Sequence, residues 1–241
     1  MQRYFVNNIN NNRIYLSKED SFHVKTVMRM SLQDKIEVVH NHTLYLSEII
    51  GLGEIVEAQI IDEIHEPQSA IPKVIIAQSL VKENKMDLIL QKGTELGAYE
   101  FIPVSTKRSI IHLDEKEAQK KKIRWQKIVK EASEQSKKTH IPQVTSVLSV
   151  DKLCKVNADK KVLLSVNESS TSLKTILQDT SSCDTILIVI GPEGGFEETE
   201  EEALINSGFI RATLGNFVLR TETVGISILS MIQYEYQDTN R

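Results

Sequence analysis

From Lys73 onward the chain alternates short apolar runs with segments of helical periodicity, and this constrains its fold more than any other feature. Val74-Ile75-Ile76-Ala77 reads as a strand. Residues 85–96 read as a helix, with Met86, Ile89, Leu90 and Leu96 as its apolar stripe and Gly97 suited to closing it. Phe101-Ile102-Pro103-Val104 returns as a strand, and residues 114–138 form a long basic helical region around the sole tryptophan, Trp125. A strand over 162–166, a helix over 172–178 and a strand over 185–190 follow. Thr185-Ile186-Leu187-Ile188-Val189-Ile190 is apolar without alternation, as expected of a strand covered on both faces. Thr199-x-x-Glu202 reads as a capping box that opens the next helix. Arg211-Ala212-Thr213-Leu214 is the final strand candidate, and residues 222–236 an apolar helix. Such βα alternation specifies a mostly parallel sheet with helices on both faces, an α/β architecture.

The first 66 residues have a different pattern. Residues 35–39 and 54–61 alternate as half-buried strands, Thr43-Leu44-Tyr45-Leu46 lies between them, and Gly51 and Gly53 mark a turn. A short helix is expected over residues 20–30. Pro67 and Pro72 bracket a connection of the kind that separates domains.

Aromatic residues make up only 5% of the 241, so Ile, Leu and Val must supply most of the packing. No apolar run approaches the ~20 residues needed to cross a bilayer, and the first residues hold no apolar signal core. A soluble cytoplasmic protein is the expectation. Cys154 and Cys183 match no metal or redox spacing and read as reduced thiols. The net charge of −4 disfavours a nucleic-acid partner when taken alone, but its distribution does not. Between Lys116 and Lys138 stand nine Lys or Arg against three Glu, whereas acid gathers at residues 197–202. A basic face on a mildly acidic protein is compatible with RNA, because phosphate contact depends on local charge. It is equally compatible with a solvated helix face.

Two loops carry the chemistry. Gly191-Pro192-Glu193-Gly194-Gly195-Phe196 directly follows the most apolar strand, where open α/β sheets bind ligands. It is neither G-x-G-x-x-G nor a Walker A loop, which disfavours a nucleoside triphosphate. Leu214-Gly215-Asn216-Phe217-Val218-Leu219-Arg220-Thr221-Glu222-Thr223 also runs from a strand into a helix, with a cation, hydroxyls and a carboxylate at the helix start. Taken singly, each piece fits a plainer role: Thr221 or Thr223 as a cap, Glu222 as a dipole partner, Arg220 as a surface residue. The two loops are expected to end neighbouring strands of one sheet.

Taken in order, Arg3-Tyr4-Phe5, Arg29-Met30, Gln91-Lys92-Gly93-Thr94-Glu95-Leu96-Gly97, Lys107-Arg108-Ser109, Glu134-Gln135-Ser136, Gly191-Pro192-Glu193-Gly194-Gly195 and Leu219-Arg220-Thr221-Glu222-Thr223 resemble bacterial ribosomal RNA small subunit methyltransferase E, of the SPOUT class. The resemblance spans nearly the whole chain. It departs at Lys137-Lys138-Thr139-His140, where the family usually carries an Arg, and at His40-Asn41-His42, where a Gly-containing turn is usual.

The resemblance implies a PUA-like RNA-binding β-barrel over residues 1–67 and a SPOUT α/β domain with a trefoil knot over residues 73–241. It implies a homodimer that methylates N3 of a uridine in 16S rRNA of the small ribosomal subunit, with S-adenosyl-L-methionine as cofactor and no metal. Cofactor contacts are implied for Leu164, Gly191, Glu193, Gly194, Leu214, Gly215, Leu219, Thr221 and Thr223, and RNA contacts for Arg3, Arg29, Lys92, Lys107, Lys137 and Lys138. Arg220 would stabilise charge growing on the uracil oxygens. Glu222 would orient Arg220 or assist removal of the N3 proton. Arg108 would hold base or phosphate, from the partner subunit in one arrangement. A knotted methyltransferase acting on another RNA such as tRNA, and a non-catalytic RNA-binding assembly factor, are the rival readings.

Overall fold

A computed structural model describes residues 1–65, 71–165, 171–182 and 184–236. Pro67, Val166 and Cys183 lie outside the described residues. The chain divides into two compact units, Met1–Gln68 with Ser133–His140, and Ser69–Ala132 with Ile141–Arg241.

In the first unit, β1 (Arg3–Phe5), β2 (Ile9–Asn10), β3 (Arg13–Tyr15), β4 (Lys35–His40), β5 (Thr43–Leu52) and β6 (Val56–Ile64) form one sheet in the order β1-β4-β5-β6-β3-β2. It curls into a half-barrel. All pairings are antiparallel except β1 on β4. Tyr4, Ile14, Ile36, Val38, Ile49, Val56 and Ala58 fill its core. The three short N-terminal strands escape a periodicity reading because two or three residues cannot display a period. Gly51 lies inside β5, at a register shift, so the turn falls to residues 53–55. The expected short helix begins earlier, as α1 (Lys18–Phe22), because Ser17 Oγ accepts the Asp20 N–H at 3.0 Å. It continues as a π-helical turn over His23–Val27. His40-Asn41-His42 closes the β4–β5 hairpin, with Asn41 and His42 both at positive φ (49° and 67°). The His42 ring stacks on His140 at 5.6 Å.

The second unit contains β7 (Lys73–Ser79), α2 (Glu83–Glu95), β8 (Glu100–Ser105), α3 (Glu115–Gln135, whose last residues belong to the first unit), β9 (Gln143–Val144), β10 (Leu148–Ser149), α4 (Val150–Leu153), β11 (Lys160–Leu164), α5 (Leu173–Gln178), β12 (Thr185–Ile190), α6 (Glu198–Asn206), β13 (Ile210–Ala212) and α7 (Thr221–Tyr236). The sheet is wholly parallel, in the order β10-β8-β7-β12-β11-β13, with β9 also on β8. Residues 186–190 of β12 are buried on both faces, and a separate core lies on each side of the sheet. The expected α/β architecture is what forms.

Details differ from the sequence reading. The helix after the glycine loop is capped by Glu197, and Glu200 Oε2 accepts the Glu197 N–H at 3.1 Å, so the box lies two residues before Thr199. Helix α2 ends as expected: Gly97 at φ +88°, with Gly97 N–H to Thr94 O (3.0 Å) and Ala98 N–H to Gly93 O (2.9 Å), makes the double bond of a Schellman motif. A Cβ at Gly93 would sit 2.7 Å from Phe101 Cζ, so glycine lets α2 press against β8. No described helix is long and apolar enough to cross a membrane.

Candidate functional site

Three strand ends converge on Thr221. Strand β7 runs out at Gln78-Ser79, β12 at Gly191, and the long loop after β13 enters α7 at Thr221. The buried Thr221 hydroxyl donates to Gly191 O at 2.8 Å and accepts from Gln78 Nε2 at 3.0 Å. The two glycine-bearing loops therefore meet at Thr221. The strands they follow are not neighbours, however: β11 lies between β12 and β13. The span from β13 to α7 is long enough to reach across that intervening strand end.

Lys85, in the first turn of α2, completes the junction and was not singled out by the sequence. Its ammonium lies 2.8 Å from Glu193 Oε1 and 3.1 Å from Glu222 Oε2, so one cation joins the carboxylates of both loops. Lys85 holds the Glu193 carboxyl below its usual range, against desolvation. Glu222 is held low first by its own backbone N–H at the helix start, with Lys85 and Arg220 adding to the effect. Both are carboxylates at neutral pH. A carboxylate stabilised in this way accepts a proton less readily. The signal available in sequence was the position of Lys85 just beyond a strand end in a parallel sheet.

Within the glycine loop, Gly195 adopts φ +68° and closes a turn through its N–H to Pro192 O (2.9 Å). A Cβ at Gly191 would come within 3.0 Å of the buried Phe196 ring. Arg108 Nη1 donates to Gly194 O at 3.1 Å, so Arg108 buttresses this loop within its own chain. Its neighbour Lys107 donates its backbone N–H to Glu200 (2.9 Å), and its ammonium reaches Glu197 (2.9 Å). Gly215 takes φ +117°, and Thr213 Oγ1 both accepts the Gly215 N–H and donates to its carbonyl. Leu164, Leu214 and Leu219 are half-buried, while Thr223 and Arg220 are exposed. The Arg220 carbonyl accepts the Thr223 and Val224 N–H groups that begin α7, leaving its side chain to project from the helix start.

The basic residues fall into different settings. Arg3 is 3% exposed and binds Glu37 at 2.8 Å and the Lys137 carbonyl at 2.6 Å. Lys137 reaches the same Glu37 at 3.0 Å. Burial raises the Glu37 pKa, but the two cations outweigh it and hold the carboxyl low. This cluster fastens Ser133–His140 within the first unit, a structural duty for Arg3 that its motif position did not reveal. Lys138 is half-buried, and burial lowers its pKa. Lys92 pairs with Glu95 at 2.8 Å, and Arg29 is exposed at φ +52°. On α3, Arg124 is spent on Asp87 and Glu83 of α2, and Trp125 and Val129 face the core. The basic stretch is thus in part an internal fastening. Among the described residues no group of three or more His, Cys, Asp or Glu could hold a metal ion.

Residues 67–233 match the model of a family described as an RNA methyltransferase domain. The chain is 36% identical over 249 residues to ribosomal RNA small subunit methyltransferase E of Bacillus subtilis (strain 168), covering 98% of this chain and 97% of that one. Among solved structures it is similar to a ribosomal RNA small subunit methyltransferase E from Neisseria gonorrhoeae bound to S-adenosyl methionine. The TM-score there is 0.88, with 27% identity and 98% of each chain covered. A methyltransferase structure from Legionella pneumophila with bound cofactor SAM superposes with a TM-score of 0.87 at 26% identity, covering 97% of each chain.

Proposed function

The chain belongs to the ribosomal RNA small subunit methyltransferase E family, and we propose on that premise that it transfers the methyl group of S-adenosylmethionine to N3 of a uridine in 16S rRNA of the small ribosomal subunit. The observation that supports this most is the junction at Thr221, which brings the Gly191-Pro192-Glu193-Gly194-Gly195 and Leu219-Arg220-Thr221-Glu222-Thr223 segments into one site.

The residues present fit this cofactor. Gly191, Gly194 and Gly215 carry no side chain, so a ligand can approach the backbone closely along both loops. Glu222 Oε2, paired with the Lys85 ammonium at 3.1 Å, puts a carboxylate beside a site meant for a cationic ligand. Leu164, Leu214 and Leu219 would give apolar cover, with Glu193, Thr221 and Thr223 as polar contacts. When bound, the sulfonium supplies an electrophilic methyl, so no metal is required.

The protein's own task is to bring N3 in line with that methyl, exclude water, and accommodate negative charge as the N3 proton leaves. Arg220, projecting from the start of α7, would face the uracil oxygens and stabilise that charge. Glu222, kept ionised, would orient Arg220. Arg108 would shape the glycine loop through Gly194 and leave part of its guanidinium for base or phosphate. The target base must leave its stack first, at a cost of a few kcal/mol. Arg29, Lys92, Lys137 and Lys138 would supply phosphate contacts, whereas the Arg3 guanidinium is held by Glu37 and the Lys107 ammonium by Glu197. A homodimer with a knotted chain path belongs to the same proposal.

The test is transfer of labelled methyl from S-adenosylmethionine to isolated small subunits and to bulk tRNA, with mass mapping of 16S rRNA from cells lacking the protein. Label in the small subunit, and loss of one methyluridine from 16S rRNA in those cells, is the expected result. Label in tRNA alone would move the substrate. Failure of S-adenosylmethionine to raise the melting temperature would leave a binding protein without this activity.

A further inference from the structure

A second pocket lies at the same edge of the parallel sheet and shares no lining residue with the Thr221 junction. Its volume is about 540 Å³, within the range of small-ligand sites. It is lined by Ser105 and Ser149, by Thr106, Lys107 and His112 of the loop after β8, by Asp151, and by Thr199, Glu200 and Ala203 of α6. Ser105 and Ser149 are register partners at the C-terminal ends of β8 and β10, where parallel sheets bind ligands.

The walls are already fixed. Thr106 and Ser109 share a buried hydroxyl bond of 2.7 Å, Lys107 N–H is held by Glu200, and the Lys107 ammonium by Glu197 and Thr199. Arg108, between them, holds Gly194 O, so the wall of this pocket and the glycine loop are one continuous support. In contrast, the hydroxyls of Ser105 and Ser149, the His112 ring and the Asp151 carboxylate make no hydrogen bond among the described residues.

Charge selects the occupant. Two carboxylates against one committed ammonium repel a phosphate, whereas unpaired hydroxyls, an imidazole and a carboxylate offer both donors and acceptors to a neutral polar ring or a ribose diol. We propose that this pocket receives a nucleotide of the RNA substrate next to the methylated one, held by its base edge or ribose hydroxyls and not by its phosphate. This rests on the proposed RNA methylation. The sheet then has a division of labour, the ends of β11, β12 and β13 serving the cofactor and those of β8 and β10 the neighbouring nucleotide.

The test uses the full chain with Asp151→Ala and, as a filling variant, Ala203→Leu. Affinity for small-subunit RNA is read by fluorescence anisotropy and affinity for S-adenosylmethionine by calorimetry. RNA binding should weaken about tenfold in both variants, the value of one or two hydrogen bonds to a charged or well-placed group. Cofactor affinity should hold, and the weakening should be equal at low and high salt, because no phosphate contact is lost. Unchanged RNA affinity in both variants overturns the proposal. So does a parallel loss of cofactor affinity, which would give the pocket to the cofactor, or a shallower salt dependence, which would make it a phosphate site. A wild-type chain that binds the RNA yet transfers no methyl defeats the proposed function while leaving the pocket's own test readable.

Discussion

Replacing Thr221 by Val removes one hydroxyl while keeping the shape of the side chain, and it tests the junction on which the site depends. The hydroxyl is buried and makes two bonds, to Gly191 O at 2.8 Å and from Gln78 Nε2 at 3.0 Å. Each is worth about 1 kcal/mol net, and a group left unpaired adds about 1–3 kcal/mol. Gln78 Nε2 keeps a second acceptor, Ser79 O at 3.2 Å, and the Gly191 carbonyl is only half-buried, so the added penalty sits at the low end. A loss of about 2–3 kcal/mol follows. With a urea m-value of about 3 kcal/mol/M, the midpoint should fall by roughly 0.7–1 M at unchanged m. Trp125 is the sole tryptophan and is buried in the second unit, so its fluorescence reports on that unit alone. Affinity for S-adenosylmethionine should fall about tenfold, because roughly 1.4 kcal/mol of loop ordering moves from folding to binding. The double variant Thr221→Val with Gln78→Met should lose less than the two single losses combined, since the second change removes the donor that the first leaves weakened. An unchanged midpoint with unchanged cofactor affinity would refute the reasoning; additive losses would show that the two side chains do not act through each other.

Arg220→Ala should leave the melting temperature in place, because the side chain is exposed, and lower kcat about a hundredfold to a thousandfold, the cost of one preorganised donor of about 3 kcal/mol; steady-state methyl transfer measures it. Lys85→Met bears on pH. Glu193 and Glu222 titrate below the usual carboxylate range with Lys85 present, so their stabilisation holds above the unfolded pKa and disappears as pH falls through the folded one. Without Lys85 both pKa values rise, and the acid limb of kcat/KM should move to higher pH, with Lys85→Arg restoring it; superimposable profiles would count against the bridge. Gly93→Val should cost about 1–3 kcal/mol by overpacking, given a Cβ position 2.7 Å from Phe101, and lower the melting temperature by roughly 2–12 °C.

Local pattern made the second unit readable to a considerable depth. The uninterrupted apolar run of β12, the stripe of α2 and the Gly97 stop are each written in a few consecutive residues, and each forms as read. The first unit was less legible. Its sheet ends at both edges in strands of two and three residues, and β1 pairs in parallel with a strand more than thirty residues away. Such strands exist through partners, not through propensity. The first unit also takes Ser133–His140 from far down the chain, through Arg3, Glu37 and Lys137, which no linker composition could announce.

Strand order is the most instructive miss at the site itself. Order in a parallel sheet is set by which crossover covers which face, a long-range choice that leaves no mark on the loop residues. The loops after β12 and β13 look like neighbours because they are alike in chemistry, yet β11 separates their strands. Contact between them, made directly by Thr221 on Gly191 O, is completed by side chains from elsewhere: Gln78 and Lys85, from the end of β7 and the start of α2, join Thr221, Glu193 and Glu222. Neither Gln78 nor Lys85 belongs to a recognisable motif, because a residue that ties two motifs together needs only reach and polarity. The two loop motifs are therefore legible in this sequence, and the residues that hold them in register become visible only when the sheet is assembled.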